Sequence, residues 1–455
     1  MKIINSAEFD SYWKNTSAAE DDEKTIAAVK EIIAGVRAEG DAALRHFAYK
    51  FDKSSPRQFE VPLPELKQAY QKLRANDPVL TEALKLAARH IMSFSQKQKE
   101  QFADFEYEME KGLFTGQRVI PVDRAAIYVP AGRFPLISSV LMGIIPAICA
   151  GVEEIFLASP PLEDGFPDRR IMAAAIIAAE TAGKDSGIRV FAIGGAQAVA
   201  ALALGTESIP KADIIAGPGN KYVAAAKRLL FGEVGIDFIA GPTDVLVIAD
   251  NSAASAVSVP DVSEPDGADF AAADLVAADM IAQAEHDPDA RARALVPSMD
   301  MAEQIVLSLN RQLQSLPSAE TARSSLQNGG LIIIYQSKEE AIRIANTIAP
   351  EHLELQTTNT DDWIPKLKNY GSLFIGSSSA EALGDYSAGL NHTLPTSGSA
   401  RFSSGLSVRH FLKTATTLRC TPGPGFEQAL QAAQCIARAE GLEGHARSAA
   451  IRAKR

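Results

Sequence analysis

Cysteine is scarce in this sequence, and the few cysteines are not spaced for a common cysteine-based site. The 455 residues include only Cys149, Cys420 and Cys435, and no two of them form a C-x-x-C pair. An odd and widely separated set indicates neither a disulfide framework nor a thiolate zinc site. This use of cysteine is typical of proteins of the reducing cytosol, so we expect a cytoplasmic location.

The sequence also lacks a long uninterrupted apolar run and an excess of positive charge. Its most apolar stretch, residues 136–152, is short and contains serine, glycine and proline, which favours a buried helix over a membrane span. The first fifteen residues contain no apolar signal-peptide segment. A net charge of −11 argues against a nucleic-acid-binding surface. We therefore expect neither a membrane nor a nucleic acid as a partner.

The length and the order of local patterns predict an α/β protein of at least two domains. Short β-rich runs alternate with turns and with helices of small residues, which is typical of a parallel sheet. The runs are residues 125–129, 154–158, 189–193, 213–216, 245–249, 331–335 and 372–375. Helices are predicted at 18–40, 63–92 and 269–284, and from residue 426 onwards. Residues 251–268 have no helical period and are predicted to form an exposed loop.

Three of the predicted strands run into turns that contain glycine. The turns lie at residues 128–132 (YVPAG), 193–197 (IGGAQ) and 216–220 (AGPGN). Glycine at such a turn lets backbone N–H groups approach a phosphate. The third turn lacks the last glycine of the dinucleotide fingerprint, because Tyr222 stands there, so this turn taken alone favours a plain strand–helix turn over a nucleotide site. Three such turns at neighbouring parallel strands predict one ligand crevice.

Four of the seven histidines stand at fixed spacing from an acid or an amide. Imidazole with carboxylate or amide oxygen is a ligand set that suits zinc, and a Glu-His pair suits proton transfer. An enzyme is therefore the first hypothesis. The motifs are Gln283 with His286, Glu351 with His352, Asp385 with His392, and Glu440 with His445.

Two of these motifs also have a plainer explanation. Gln283 and His286 share one face of a predicted helix, where a solvated helix end would show the same spacing. Glu351 and His352 follow a proline that marks a segment boundary, and adjacent residues of an extended chain point to opposite sides. Asp385 is expected in a loop of glycine, proline and hydroxyl residues, and such loops more often carry function than packing.

Six segments, in order along the chain, carry a resemblance to a known family. They resemble histidinol dehydrogenase, the zinc enzyme that completes histidine biosynthesis, and the N-terminal run VRAEGDAALRHFAYKFD extends the resemblance over essentially the whole chain. The segments are AGPGNKYV, AGPTDVLVIAD, QAEHDPDA, APEHLELQT, GDYSAGLNHTLPTSGSARFSSGLSV and AEGLEGHA.

The resemblance implies one zinc ion per subunit and an obligate homodimer. In the family, the last zinc ligand comes from the partner subunit, so that each active site is shared. The implied zinc ligands in this sequence are Gln283, His286, Asp385 and His445.

The resemblance also implies roles in catalysis and in binding. Glu351 and His352 would be the catalytic pair, and Tyr128, Gln197 and Asn220 would contact NAD. The implied substrate contacts are Thr243, Gln283, His286, His352, Asp385, His392, Glu440 and His445.

The implied reaction is two successive NAD-dependent oxidations of L-histidinol, through L-histidinal, to L-histidine. His352 would take the hydroxyl proton, and Glu351 would activate water on the aldehyde. Zinc would anchor the amino and imidazole nitrogens of the substrate. The acidic side chains of the motifs fit such a cationic substrate, whereas an anionic one would require arginine or lysine.

The implied fold consists of two incomplete Rossmann-like domains with parallel sheets and two small extensions. The N-terminal extension would be residues 1–21, and the helical C-terminal extension residues 406–455. Residues 22–127 and 240–405 would form a discontinuous large α/β domain. Residues 128–239 would be a Rossmann-like domain inserted into it.

Two departures from the family pattern leave alternatives open. Thr243 stands in Gly-Pro-Thr-Asp where the family typically has Gly-Pro-Ser-Glu, and the loop 251–268 is longer than usual. One alternative is a paralogous zinc- and NAD-dependent dehydrogenase of another small polar alcohol, such as sulfopropanediol, for which Gly132-Arg133 and residues 445–447 leave room. Another is a zinc-bridged dimer without turnover. The pair Glu351-His352 argues against the latter, because a structural zinc needs no acid–base pair.

Overall fold

The computed structural model describes residues 1–16, 23–52, 54, 56–131, 134–183, 187–250, 252 and 271–453. Within these ranges the chain forms three β-sheets. The strands are β1 (Lys2–Asn5), β2 (Phe105–Glu110), β3 (Leu113–Pro121), β4 (Arg124–Tyr128), β5 (Glu154–Ser159), β6 (Ile188–Ala192), β7 (Ile214–Ala216), β8 (Gly235–Ile236), β9 (Asp244–Ala249), β10 (Arg291–Val296), β11 (Leu331–Ile334), β12 (His352–Gln356), β13 (Ser372–Ile375) and β14 (Leu412–Cys420).

Helices cover both faces of the two larger sheets. A π-helical turn, Ala48–Asp52, follows the third helix. The α-helices are α1 (Ser6–Thr16), α2 (Glu23–Glu39), α3 (Asp41–Phe47), α4 (Leu63–Asn76), α5 (Pro78–Lys99), α6 (Ile137–Ala150), α7 (Arg169–Thr181), α8 (Gly195–Leu204), α9 (Lys221–Leu230), α10 (Ala272–Ala284), α11 (Met299–Gln312), α12 (Ala319–Asn328), α13 (Lys338–Ile348), α14 (Glu381–Tyr386), α15 (Pro424–Ala439) and α16 (Glu443–Arg452).

The six-stranded sheet is parallel throughout, with the order β1-β11-β10-β9-β12-β13. Its central strand β9 is buried on both faces. Val245, Val247 and Ala249 pack with α10, α11 and α12, whereas Leu246 and Ile248 pack with α13 and α1. Alternate residues of a strand point to opposite faces, so a strand covered on both sides reads as a continuous apolar run.

The five-stranded sheet is also parallel, with the order β6-β5-β4-β7-β8. In β4, Ala125 and Ile127 join a core formed with α4, α5, α6 and α7. Ala126 and Tyr128 join a core on the other face with α2, α3, α8 and α9. The predicted α/β fold with parallel sheets is confirmed.

The division into domains stays a prediction, and two packing relations bear on its boundaries. Strand β1, within the expected N-terminal extension, is an edge strand of the six-stranded sheet. Helices α2 to α5, expected in the large domain, pack on the five-stranded sheet.

The third sheet is antiparallel, with the order β14-β3-β2, and it belongs to a largely exposed part of the chain. Every residue of β2 is exposed, as are most residues of β14. Helices α15 and α16 follow β14 and pack chiefly against each other. We call β14, α15 and α16 the C-terminal arm.

Two predicted segments differ in detail from the observed elements. The region 63–92 is two helices, because the Asp77 carboxylate accepts a hydrogen bond from the Leu80 amide (2.9 Å) and starts a new helix at Pro78. Asp385, expected in a loop, lies in α14, where Glu381 and Gly384 are also buried. The predicted loop 251–268 falls, except for Ser252, outside the described residues.

The apolar stretch 136–152 forms helix α6, as its composition predicts. Ten of its residues are buried in the core of the five-stranded sheet. Among the helices of the described ranges, none combines the length and the apolar character that crossing a lipid bilayer requires.

The three cysteines are free thiols, and they differ in accessibility. Cys420 and Cys435 are exposed, whereas Cys149 is half-buried with its Sγ 3.1 Å from the Met92 sulfur. Burial raises the pKa of the Cys149 thiol to about 11. The cytoplasmic location predicted from the cysteine content stays a prediction.

We expect the half-buried Cys149 thiol to react with an alkylating reagent at pH 8 later than Cys420 and Cys435, and mainly after the protein unfolds. At that pH only about one Cys149 thiol in a thousand is a thiolate, and the thiolate is the reactive form. Time-resolved iodoacetamide labelling with peptide mass spectrometry measures this order. Rapid labelling of Cys149 in the folded protein would contradict its packing.

Candidate functional site

The residues predicted for catalysis gather at the amino edge of the six-stranded sheet. Thr243 immediately precedes β9, and His352 is the first residue of the neighbouring strand β12. Gln283 lies in the last turn of α10, which returns from the carboxyl edge of the sheet to its amino edge. Ligands of open α/β sheets usually bind at the carboxyl edge, so this placement is unusual.

Local sequence explains how Glu351 and His352 reach this edge. Helix α13 ends at Ile348, and the next residue, Ala349, adopts a left-handed conformation (φ 51°). Pro350 follows and disfavours further helix. The Pro350 and Glu351 carbonyls then accept hydrogen bonds from the chain entering β13, and β12 begins at His352. The two side chains are thereby fixed at the start of a central strand.

Glu351 is buried and receives two hydrogen bonds on one carboxylate oxygen. The Thr243 hydroxyl donates at 2.5 Å and the Asp244 amide at 3.1 Å, both to Oε2. The Gln283 side-chain amide in turn donates to the Thr243 hydroxyl at 2.6 Å. Burial raises the pKa of Glu351 to about 7, although the nearby His352 and the Thr243 hydrogen bond act in the opposite direction.

His352 is 2% exposed and lies among three acids. Its Nδ1 is 3.5 Å from Glu381 Oε1, and its Nε2 is 3.4 Å from Asp385 Oδ1. Burial lowers the pKa of the imidazole, but Glu381, Glu351 and Asp385 more than offset it and hold that pKa well above its usual value. The surrounding carboxylates therefore favour the protonated form of the ring.

His392 connects Asp385 to the other large sheet. Its Nδ1 lies 3.0 Å from the Asp385 carbonyl oxygen, and its Nε2 lies 2.7 Å from the hydroxyl of Ser139 on α6. Burial lowers the pKa of His392, which favours a neutral ring. A neutral ring that donates from Nδ1 accepts a hydrogen bond from the Ser139 hydroxyl at Nε2. The amino edge of one sheet thus meets the carboxyl edge of the other.

The side chains at this edge fit a divalent metal. His352, Glu381 and Asp385 each offer one ligand atom, and these atoms lie within 4.8 Å of one another. Gln283 Oε1 is buried and accepts no hydrogen bond from any described residue. A buried acceptor without a donor is costly unless a ligand supplies the missing contact. Oxygen and imidazole donors together suit zinc.

His286 belongs to the same neighbourhood, although its side chain is exposed. Burial raises the pKa of Asp385, but the hydrogen bond from His352 and the nearby His392 and His286 outweigh it and lower that pKa overall. Asp385 is therefore a carboxylate that the surrounding imidazoles stabilise.

Sequence analysis missed Glu381, whose carboxyl group faces His352. It stands four residues before Asp385 on α14, so both side chains lie on one face of the helix. That spacing was readable in the sequence, but the loop predicted there concealed it. Burial, together with the nearby acids, raises the pKa of Glu381 well above its usual value despite the opposing effect of His352.

The residues predicted for cofactor contacts lie at the carboxyl edge of the five-stranded sheet. Tyr128 ends β4, and its hydroxyl accepts a hydrogen bond from the Gly195 amide at 3.0 Å. Gln197 is buried in the first turn of α8, and no described residue pairs with its Nε2. The Asn220 side chain caps α9 by accepting hydrogen bonds from the first amides of that helix.

A buried ion pair fixes the turn that precedes Asn220. Lys227 Nζ donates to the Gly217 carbonyl oxygen (3.1 Å), and Asp237 accepts from the Gly217 amide (2.8 Å). Lys227 and Asp237 also pair with each other. Gly217 has a φ of 116°, and a Cβ there would collide with the Tyr128 carbonyl oxygen. The turn lies between β4 and β7, where the strand order reverses and a crevice opens.

The last two predicted site residues lie elsewhere in the single chain. Glu440 follows α15 and His445 lies in α16, and both are exposed on the C-terminal arm. No contact found within the described ranges joins either residue to the cluster around Asp385.

Comparison with known proteins gives a consistent result over nearly the whole chain. A sequence-family profile described as histidinol dehydrogenase matches residues 15–263 and 267–453. A histidinol dehydrogenase of Thermus thermophilus is 44% identical over 424 residues, which cover 93% of each chain. One of Pseudomonas savastanoi is 42% identical over 443 residues, covering 97% of this chain and 91% of the relative.

A solved structure supports the same relation. The crystal structure of histidinol dehydrogenase from Elizabethkingia anophelis superposes with a TM-score of 0.85 at 34% identity. The match covers 98% of this chain and 96% of that one.

Proposed function

This chain belongs to the histidinol dehydrogenase family, and from that membership we propose that it oxidises L-histidinol through L-histidinal to L-histidine in two NAD-dependent steps. The family implies an oxidoreductase that acts on a CH–OH group. One observation carries the finer proposal: the buried pair Glu351-His352 lies beside Asp385 and Gln283, and His392 joins Asp385 to helix α6 of the other large sheet.

In the proposed first step, His352 accepts the proton of the substrate hydroxyl. Bound NAD⁺ supplies the hydride acceptor in both steps. The imidazole must be neutral to act as a base, and a cation held by Asp385 would reduce the negative charge that now raises its pKa. Because His352 is buried, bulk water does not reach the place where the proton is transferred.

In the proposed second step, Glu351 takes a proton from the water that adds to the aldehyde. With a pKa of about 7, its carboxylate form is available as a base at neutral pH and above. The Thr243 hydroxyl and the Asp244 amide hold the carboxylate oxygen that they share. Separate residues would therefore serve the two steps.

We propose that Gln283, His286, Asp385 and His445 hold one zinc ion. When bound, zinc would anchor the amino and imidazole nitrogens of the substrate. Gln283 supports this assignment because its Nε2 donates to Thr243 while no described residue donates to its Oε1. His392 and Glu440 would complete the substrate contacts, together with Thr243.

The proposed homodimer follows from the exposed C-terminal arm and its sheet. Phe105 and Tyr107 alternate along β2, so they share one face, and they and Met109, at a β-bulge, are each about half exposed. Leu418 and Ile436 are likewise exposed on the arm. Exposed apolar side chains in such number mark an interaction surface. A second subunit covering this surface would allow its His445 and Glu440 to enter this site.

The test is the stoichiometry of NADH formation. Purified protein with zinc and NAD⁺ should form about two NADH per L-histidinol consumed, with NADP⁺ as a parallel arm. Oxidation of a sulfonated diol without turnover of histidinol would instead identify the paralogous dehydrogenase. If neither alcohol yields NADH and chelation separates the subunits, the zinc serves a structural dimer.

A further inference from the structure

A buried ion pair adjoins the proposed catalytic pair Glu351-His352, and the proposed function gives this ion pair no role. Arg293 on β10 donates from Nη1 to Asp244 Oδ2 on the adjacent strand β9 at 2.8 Å. Each of the two residues is 5% exposed. The Arg293 guanidinium also lies 5.3 Å from the centre of the Trp13 ring.

Asp244 forms hydrogen bonds with both the backbone amide and the side-chain carboxylate of Glu351. Asp244 Oδ1 accepts a hydrogen bond from the Glu351 amide at 3.1 Å, and the Asp244 amide donates to Glu351 Oε2 at 3.1 Å. The Asp244 carbonyl oxygen lies 3.4 Å from His352 Nδ1. One residue therefore touches the backbone and the carboxylate of Glu351.

The two oxygens of the Asp244 carboxylate have separate partners. Oδ1 holds the Glu351 amide and Oδ2 holds Arg293, so the arginine fixes the orientation in which Oδ1 can accept. Buried ion pairs add little stability compared with well-packed apolar residues. Stability alone is therefore a weak reason for a buried Arg293, whereas the contact with Glu351 gives a specific one.

We propose that Asp244 and Arg293 are positioning residues that hold Glu351 for the second oxidation. The inference rests on the proposed function, in which Glu351 accepts a proton from water while the water oxygen bonds to the aldehyde carbon. The resulting anion of the hydrate (the gem-diolate) then loses hydride to NAD⁺ and becomes the acid. Displacement of Glu351 slows this step and leaves proton removal by His352 in place, so the aldehyde accumulates.

Two double variants test the proposal without leaving a lone buried charge. Asp244→Ala/Arg293→Met removes both charges and the acceptor for the Glu351 amide. Asp244→Asn/Arg293→Met removes both charges but keeps an oxygen acceptor. The control is Glu60→Gln/Arg189→Met, which breaks an ion pair (2.6 Å) on β6, the edge strand of the five-stranded sheet.

Each variant is assayed with L-histidinol and NAD⁺ in the presence of semicarbazide, which traps aldehydes, and separately with L-histidinal. For the alanine double variant we expect about one NADH per histidinol and an accumulation of trapped aldehyde. Its turnover of histidinal should be lowered by about tenfold or more. The asparagine double variant should fall between it and the wild type. The control should match the wild type.

Two NADH per histidinol and wild-type turnover of histidinal in the alanine double variant would overturn the proposal. An equal loss of histidinal turnover in the control would also overturn it, because the loss would then be a general effect of removing an ion pair. If the alanine double variant does not fold, the asparagine double variant tests the proposal instead. It should then form fewer NADH per histidinol than the wild type. Absence of NADH from the wild type would instead overturn the proposed function, and this inference with it.

Discussion

Replacing His352 with asparagine is expected to lower kcat by about 10²- to 10⁴-fold, the usual contribution of a positioned general base. Asparagine occupies a similar volume but cannot accept the substrate proton. Because the implied zinc ligands remain, the metal content per subunit should not change. Steady-state NADH formation and elemental analysis of the same preparation measure both quantities.

A second histidine provides a matched control. His90 also has its Nδ1 beside a backbone carbonyl oxygen, that of Ser387 at 2.6 Å, but it lies on the exposed side of α5. His90→Asn should keep wild-type turnover. Loss of metal in His352→Asn would show that His352 is a ligand together with Glu381 and Asp385, and that our assignment of base and ligands is wrong.

Mixing two inactive variants is expected to restore activity. If each site takes His445 from the partner subunit, a dimer of one His445→Ala chain and one His352→Asn chain contains one intact site. Random reassembly of equal amounts makes half of the dimers mixed, so about a quarter of wild-type activity should return. Dissociation, mixing and reassembly followed by the NADH assay measure the recovery.

The control for this experiment pairs two residues of the same subunit. Glu351→Ala mixed with His352→Asn leaves each site of a mixed dimer with one defect, so no activity should return. If subunit exchange is verified by mass spectrometry and the first pair also stays inactive, the shared site is ruled out.

The sequence predicted seven of the eleven strands of the two large sheets, because their physical signal is local, but it did not predict β1, β8, β10 and β12. Strands buried on both faces, such as β4 and β9, are short apolar runs ended by turn residues, and their bounds differ from the predicted ones by about one residue. The structure also places Thr243, Gln283 and Asp385 near Glu351. Their roles remain proposals.

What the sequence could not show depends on contacts between distant segments. The contact of Asp244 with Arg293 requires the register of β9 and β10, which no local pattern encodes. Helix α14 is only six residues long and includes a glycine, so its contacts with neighbouring elements such as α10 stabilise it more than its propensity does. The position of the site at an amino edge likewise follows from topology.

Because the site lies at the amino edge of the six-stranded sheet, the dipoles of the surrounding helices determine the electrostatic character of the crevice. Helices α10 and α13 end at the amino edge of the six-stranded sheet, while α6, α8 and α9 begin at the carboxyl edge of the five-stranded sheet. Aligned peptide dipoles place roughly half a negative charge at a helix C-terminus and half a positive charge at an N-terminus. One wall therefore favours a cation such as zinc or a protonated amine. The facing wall favours the phosphates of a dinucleotide, before any side chain contributes.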